Sequence, residues 1–134
     1  MNKNNPGEFN FRPEGNFLEP DSNAYYTGKL VILVNEMTQS AAEYRAMAFR
    51  AGDNTTVIGS TTAGTDGNVS WIALPGGLKT PISGIGVYYP DGGETQRVGI
   101  VPDIEVRPTI KGIREGRDEL LEKAIEVIED ANPQ

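Results

Sequence analysis

The pattern of apolar and polar positions turns from irregular to ordered at Lys29. From there Leu30-Val31-Ile32-Leu33-Val34 forms a continuous β-branched apolar run. A run of this length without polar alternation predicts a strand buried on both faces, as in a parallel sheet. Asn35-Glu36-Met37-Thr38 interrupts it. A helix is then predicted from about Ser40 to Ala51, with Ala41, Tyr44, Met47, Ala48 and Ala51 along one side. Gly52-Asp53-Asn54 stops that helix, and Thr55-Thr56-Val57-Ile58-Gly59 reads as a second strand. Strand, helix and strand in this order predict a right-handed parallel crossover.

Further along the pattern shortens. Strands are expected over 69–74, 78–82, 85–89 and 95–100, separated by Pro75-Gly76-Gly77, Ser83-Gly84 and Pro90-Asp91-Gly92-Gly93. A terminal amphipathic helix is predicted from about Asp118 to Asp130, with Leu121, Ala124, Ile125 and Ile128 at core spacing. Asp118 and Glu119 complement the dipole in its first turn. Residues 1–27 show neither period. Asn, Pro, Gly and Glu surround isolated aromatics at Phe9, Phe11, Phe17, Tyr25 and Tyr26, which predicts an extended arm ahead of a unit spanning 28–131. The fold class read from these elements is α/β, with a parallel strand–helix–strand unit, short antiparallel hairpins and a C-terminal helix.

Composition narrows the function. The 134 residues, 37% of them hydrophobic, suit one globular domain. A net charge of −7 with scattered basic residues excludes a phosphate-neutralising face, so no nucleic-acid partner is expected. No segment reaches the roughly 20 apolar residues of a membrane span, and Met1 to Pro6 is polar, unlike a signal peptide. The sequence holds no cysteine and no histidine, so neither a disulfide framework nor a zinc site is expected, and no cofactor is implied. The glycine-rich stretch 59–67 lacks the Gly-Lys-Ser/Thr ending of a P-loop. Asp66-Gly67-Asn68 and Asp91-Gly92-Gly93 lack EF-hand spacing.

Chemistry points to Ser40, at the junction of a buried strand and a helix. A hydroxyl there projects from the end of the sheet, and the amides behind it lie at the positive end of the helix, where an oxyanion could be held. Ser40-x-x-Glu43 is equally a capping box, in which both side chains satisfy the first amides of the helix. Spacing does not choose between nucleophile and cap.

The segment 33–43, Leu-Val-Asn-Glu-Met-Thr-Gln-Ser-Ala-Ala-Glu, resembles the nucleophile region of C-terminal processing (tail-specific) serine peptidases. Two more stretches match in order. Val57-Ile58-Gly59-Ser60-Thr61-Thr62-Ala63-Gly64 resembles the family's Gly-x-x-Thr-x-Gly loop. Tyr89-Pro90-Asp91-Gly92 followed by 98–106 resembles its closing hairpin and Gly-Ile-x-Pro-Asp-Ile segment. The resemblance implies a crotonase/Clp-protease-like core, Ser40 as nucleophile and the Ala41 amide as oxyanion donor. The lysine that serves as base in one branch would follow Gly64, but Thr65 stands there. Lys3, Lys29, Lys79, Lys111 and Lys123 occupy no matching site. The sequence is therefore more similar to the tricorn-like branch, which implies a histidine base from upstream of Met1 in the same full-length protein. Glu94 is the expected supporting acid, or Gln96 if the alignment slips by two.

The resemblance also implies a polypeptide substrate taken by its C-terminal end, and a periplasmic or envelope location for the full-length protein. Two other readings stand beside it: a non-catalytic peptide-binding module on the same scaffold, and a crotonase-like acyl-CoA enzyme. The last leaves the Ser-Ala-Ala-Glu segment unexplained.

Overall fold

The computed structural model describes residues 26–131. Strand β1 (Leu30–Val34), helix α1 (Ala41–Arg50) and strand β2 (Thr55–Gly59) build the expected crossover. β1 and β2 are parallel, with Leu30 opposite Thr55 and Val34 opposite Gly59. A hairpin follows, made of β3 (Val69–Ala73) and β4 (Lys79–Ser83) around a 3-10 turn at Pro75–Gly77. Then come the two-residue strand β5 (Ile104–Glu105), the short helix α2 (Ile110–Arg114) and helix α3 (Glu119–Ala131). β5 joins the other edge of β2 in parallel, giving a three-stranded sheet in the order β1-β2-β5.

β2 is the centre of the molecule because successive strand residues face opposite ways. Val57 and Ile58 are both fully buried, so both faces of β2 are covered. Val57 packs with Val34, Ala46 of α1 and Ile100, while Ile32, Met47 and Tyr89 close that cluster from its edges. α3 lies against β1 and β2 and buries Ala124.

Long-range polar ties close the sheet on the β5 side. The Asp103 amide donates to Val57 O at 2.8 Å, and Asp103 Oδ2 accepts from the Val57 amide at 2.8 Å. Arg50 at the end of α1 pairs with Asp103 Oδ1 and donates to Val101 O at 2.7 Å. The strand–helix–strand unit is thereby fastened to the 100–105 segment.

Some expectations need correction. β1 was expected to be buried on both faces, yet only Val34 is buried and Leu33 is 40% exposed, because β1 forms an edge of the described sheet. The strands expected over 85–89 and 95–100 do not form. One isolated bridge, Tyr88 to Glu94, stands in their place, and the chain over 95–100 is bound by its hydrogen bonds to the loop after β2. In α1 the inward stripe is Glu43, Ala46, Met47 and Arg50, whereas Ala41, Tyr44 and Ala48 are exposed. The predicted stripe is displaced because α1 is apolar on nearly every side, which leaves its period uninformative. Leu121, Ile125 and Ile128 of α3 are likewise partly exposed, at 48%, 48% and 39%. The expected arm over 1–27 falls outside the described residues except for Tyr26 and Thr27. Among the described residues no helix is long and apolar enough to cross a membrane.

Candidate active site

The turn between β1 and α1 is built by its own polar side chains. Asn35 Oδ1 accepts from the Met37 amide at 3.0 Å, the Thr38 amide donates to Asn35 O at 2.9 Å, and Thr38 Oγ1 accepts from the Asn35 amide at 3.1 Å. Asn and Thr suit such a turn because their short side chains reach backbone groups two or three residues away. The Ala63 amide then donates to Thr38 O at 3.0 Å and pins the turn to the loop after β2.

Ser40 follows with φ 52° and ψ −121°. A helix cap ordinarily has an extended backbone, which costs nothing. Positive φ in a residue with a Cβ costs on the order of 1–3 kcal/mol and survives only where surrounding bonds impose it. The Glu43 amide faces the Ser40 hydroxyl as in a capping box, but no side-chain cap hydrogen bond forms there. Ser40 is exposed. Among the described residues the Ala41 amide donates to no acceptor, while the neighbouring Ala42 amide is taken by Gln39 O at 3.2 Å. The geometry is that of a strained strand-to-helix elbow at an exposed serine, followed by an N–H that no described residue accepts.

The bonds imposing the strain converge on Glu43. This carboxylate is 1% exposed, in a position where an unpaired charge would be very costly. Its Oε2 accepts from the Ser40 amide and the Thr65 amide, each at 2.9 Å, and from Thr65 Oγ1 at 3.4 Å. Its Oε1 accepts from the Gly64 amide at 2.7 Å and from the Thr62 hydroxyl. Burial pushes the Glu43 carboxyl up. The hydrogen bonds from Thr62, Gly64, Thr65 and Ser40 outweigh it and hold the group below the ordinary carboxylate range. One oxygen thus holds both Ser40 and Thr65, so their amides lie within twice 2.9 Å of each other.

The loop carrying Thr62 to Gly67 is fixed from the other side as well. Thr62 Oγ1 accepts from the Ile100 amide at 2.7 Å, the Thr62 amide donates to Ile100 O at 3.3 Å, and the Arg97 amide donates to Gly64 O at 2.6 Å. Two glycines are required by contact and conformation. A Cβ on Gly59, at φ 136°, would stand 1.8 Å from Val34 O. One on Gly64, at φ 68°, would touch the Arg97 backbone.

Beyond Thr65 opens a cavity of about 410 Å³ whose walls include Gly64, Thr65, Asp66, Glu94, Gln96 and Arg97. Glu94 lies on this wall, half exposed, 3.8 Å from the exposed guanidinium of Arg97. Gln96 lies on the same wall, its Nε2 donating to Ile85 O at 3.4 Å. Asp66 is 5% exposed, and burial pushes its carboxyl up. The Gly67 N–H works against that rise and the Glu43 charge adds to it. Among the described residues no group of three or more Asp or Glu side chains converges on a metal position.

The structure therefore joins Ser40 and Ala41 at the elbow, links them through Glu43 to Gly64 and Thr65, and sets Glu94 on the cavity that begins there. Sequence reasoning treated Glu43 as a cap partner and gave Thr62 no chemistry beyond its place in the Gly-x-x-Thr-x-Gly loop. It read Asp66 as a turn residue and did not single out Arg97. The available signals were Glu43 in the motif around Ser40 and Thr62 within that loop; their contact spans 19 residues.

The sequence model of peptidase family S41 matches residues 3–106. A protein of Chlamydia trachomatis is 26% identical over 115 residues, which is 83% of this chain and 19% of that protein. The crystal structure of a candidate peptidase from Parabacteroides merdae superposes with a TM-score of 0.75 at 29% identity, over 83% of this chain and 35% of that one. The photosystem II D1 C-terminal processing protease superposes with a TM-score of 0.54 at 26% identity, over 63% of this chain and 22% of that one. The chain thus spans about a fifth to a third of these three proteins.

Proposed function

The chain belongs to peptidase family S41, and from that premise we propose that it carries the nucleophile-bearing part of a serine peptidase, with Ser40 as nucleophile. Ser40 Oγ attacks the carbonyl carbon of a peptide bond while its proton passes to a general base. The resulting oxyanion is held by the Ala41 N–H; collapse expels the amine, which takes the proton back, and leaves an ester on Ser40. Water then hydrolyses the ester by the same steps. The base is a histidine from another part of the full-length protein, as in the tricorn-like branch, since Thr65 occupies the position of the lysine in the other branch. Glu94, on the cavity wall, is the acid that the resemblance assigns to support it.

The observation that carries this reading is the backbone of Ser40. A capping serine has no need of φ 52°, whereas a nucleophile that must stand clear of its own helix does. Substrates are polypeptides taken by their C-terminal ends, and the full-length protein belongs to the periplasm or cell envelope. Both follow from the resemblance.

The test is labelling of the full-length protein with a fluorophosphonate probe, read by intact mass, with Ser40→Ala as control. One adduct, absent in the control, is expected. A folded protein that never labels, or that labels equally as Ser40→Ala, would sink the nucleophile and leave a peptide-binding module on a peptidase scaffold.

A further inference from the structure

Asp66 has an oxygen that no described residue serves. Oδ1 accepts from the Gly67 amide at 2.8 Å. Oδ2 is buried and, among the described residues, meets no donor. Folded proteins keep such atoms few, because a buried acceptor loses water and gains nothing in return. The donors around it bond to other groups: the Thr65 amide to Glu43, and Gln96 Nε2 to Ile85 O, while the Arg97 guanidinium, 87% exposed, stands 3.8 Å from Glu94.

Asp66 also lines the cavity shared with Glu94 and Arg97. The charged side chains on that wall are two carboxylates and one guanidinium, and that guanidinium already faces a carboxylate. Glu43 adds a further negative charge beside Asp66. A cavity of this volume takes a side chain or a small ligand. The group that would satisfy its free oxygen and its charge together is a cation bearing N–H donors.

We propose that this cavity receives a basic side chain of a polypeptide, with the guanidinium or ammonium group paired to Asp66. Its position relative to a scissile bond rests on the peptidase reading, because Asp66 follows Thr65, whose amide shares a Glu43 oxygen with that of Ser40. Binding of the side chain does not depend on that reading.

The experiment is an NMR titration of the full-length protein with N-acetyl-arginine amide and N-acetyl-lysine amide. N-acetyl-norleucine amide and N-acetyl-glutamine amide serve as uncharged controls. The wild type should bind the basic amides at least tenfold more tightly than norleucine. Asp66→Asn should erase the preference. Since Asp66→Asn removes a buried carboxyl, it should fold, and its melting temperature is recorded. Binding to the wild type should also weaken as pH falls through the raised Asp66 value, a readout that needs no variant. Equal affinity for all four amides, or a preference that survives Asp66→Asn, overturns the proposal and leaves Asp66 a buried carboxyl with no ligand role. Cleavage-site mapping on an unfolded protein separates the two readings. Cleavage that persists in Ser40→Ala overturns the nucleophile alone. Its loss there, without basic preference in the wild type, overturns the Asp66 site alone.

Discussion

Replacing Glu43 by glutamine exchanges one carboxylate oxygen for an NH₂ group in a site that contains only donors. If the NH₂ takes the place of Oε2, it confronts two backbone amides, Ser40 and Thr65, which cannot turn away. If it takes the place of Oε1, it confronts the Gly64 amide, while the Thr62 hydroxyl can rotate to donate elsewhere. The second orientation is therefore preferred, with one buried N–H orphaned at about 1–3 kcal/mol. The bonds that remain fall from charge-assisted to neutral strength, about 1 kcal/mol each. Relief of the buried charge returns part of this. The net cost is about 3 kcal/mol, or a fall in melting temperature of roughly 12 °C at about 4 °C per kcal/mol for a chain of this size.

Urea denaturation at neutral pH measures this cost, and a pH series tests its cause. Glu43 titrates below the ordinary carboxylate range in the fold, so its contribution is complete above that range and is lost as pH falls through the depressed value. The gap between wild type and Glu43→Gln should narrow over the same interval. Asp66 has the opposite sign: with its value raised, the fold gains from its protonation as pH falls towards the ordinary value. A Glu43→Gln cost below about 1 kcal/mol, or a gap that ignores pH, would refute the carboxylate clamp.

Four further outcomes are expected. Ser40→Gly should raise the urea midpoint by the equivalent of about 1 kcal/mol, because glycine adopts φ 52° without strain. Gly59→Ala should cost roughly 4 kcal/mol or prevent folding, seen as loss of soluble protein or of a cooperative melt, since its Cβ would overlap Val34 O. Asp103→Ala should destabilise by about 2 kcal/mol through the orphaned Val57 amide. Arg50→Ala, which loses a partly exposed ion pair, should cost about 1 kcal/mol or less in the same denaturation assay.

The parts of the fold legible in the sequence were those with local causes. Leu30–Val34 and Thr55–Gly59 announce themselves as strands through β-branched runs, and α3 through its period. Ser40 was legible as a position, at the point where strand gives way to helix. Its backbone angle was not, since no residue type near it demands positive φ; the demand comes from Gly64 and Thr65 through Glu43. β5 is only two residues long and exists through the Asp103 and Val106 bonds to β2. Helix α2 was missed because Gly112 weakens its helical signal. It is held by the Thr109 cap at 2.9 Å and by Glu119, which accepts from Thr109 Oγ1 at 3.0 Å. Family resemblance pointed to Ser40, Ala41 and Glu94 as candidates, whereas Asp66 emerged only from the environment of one unserved oxygen.

The bonds from Asp103 to Val57 and from Ile100 to Thr62 span 46 and 38 residues. Closing such loops is entropically slow, whereas β1, α1 and β2 are neighbours along the chain and can associate early. The elbow at Ser40 then becomes strained only after the 97–105 segment docks, because that docking sets the loop that presents Gly64 and Thr65 to Glu43. In kinetic terms the corner at Ser40 is a late event. Substitutions at Glu43, Thr62 or Gly64 should hasten unfolding while leaving the folding rate nearly unchanged. The lifetime of the native state, rather than the speed of reaching it, is what this corner governs.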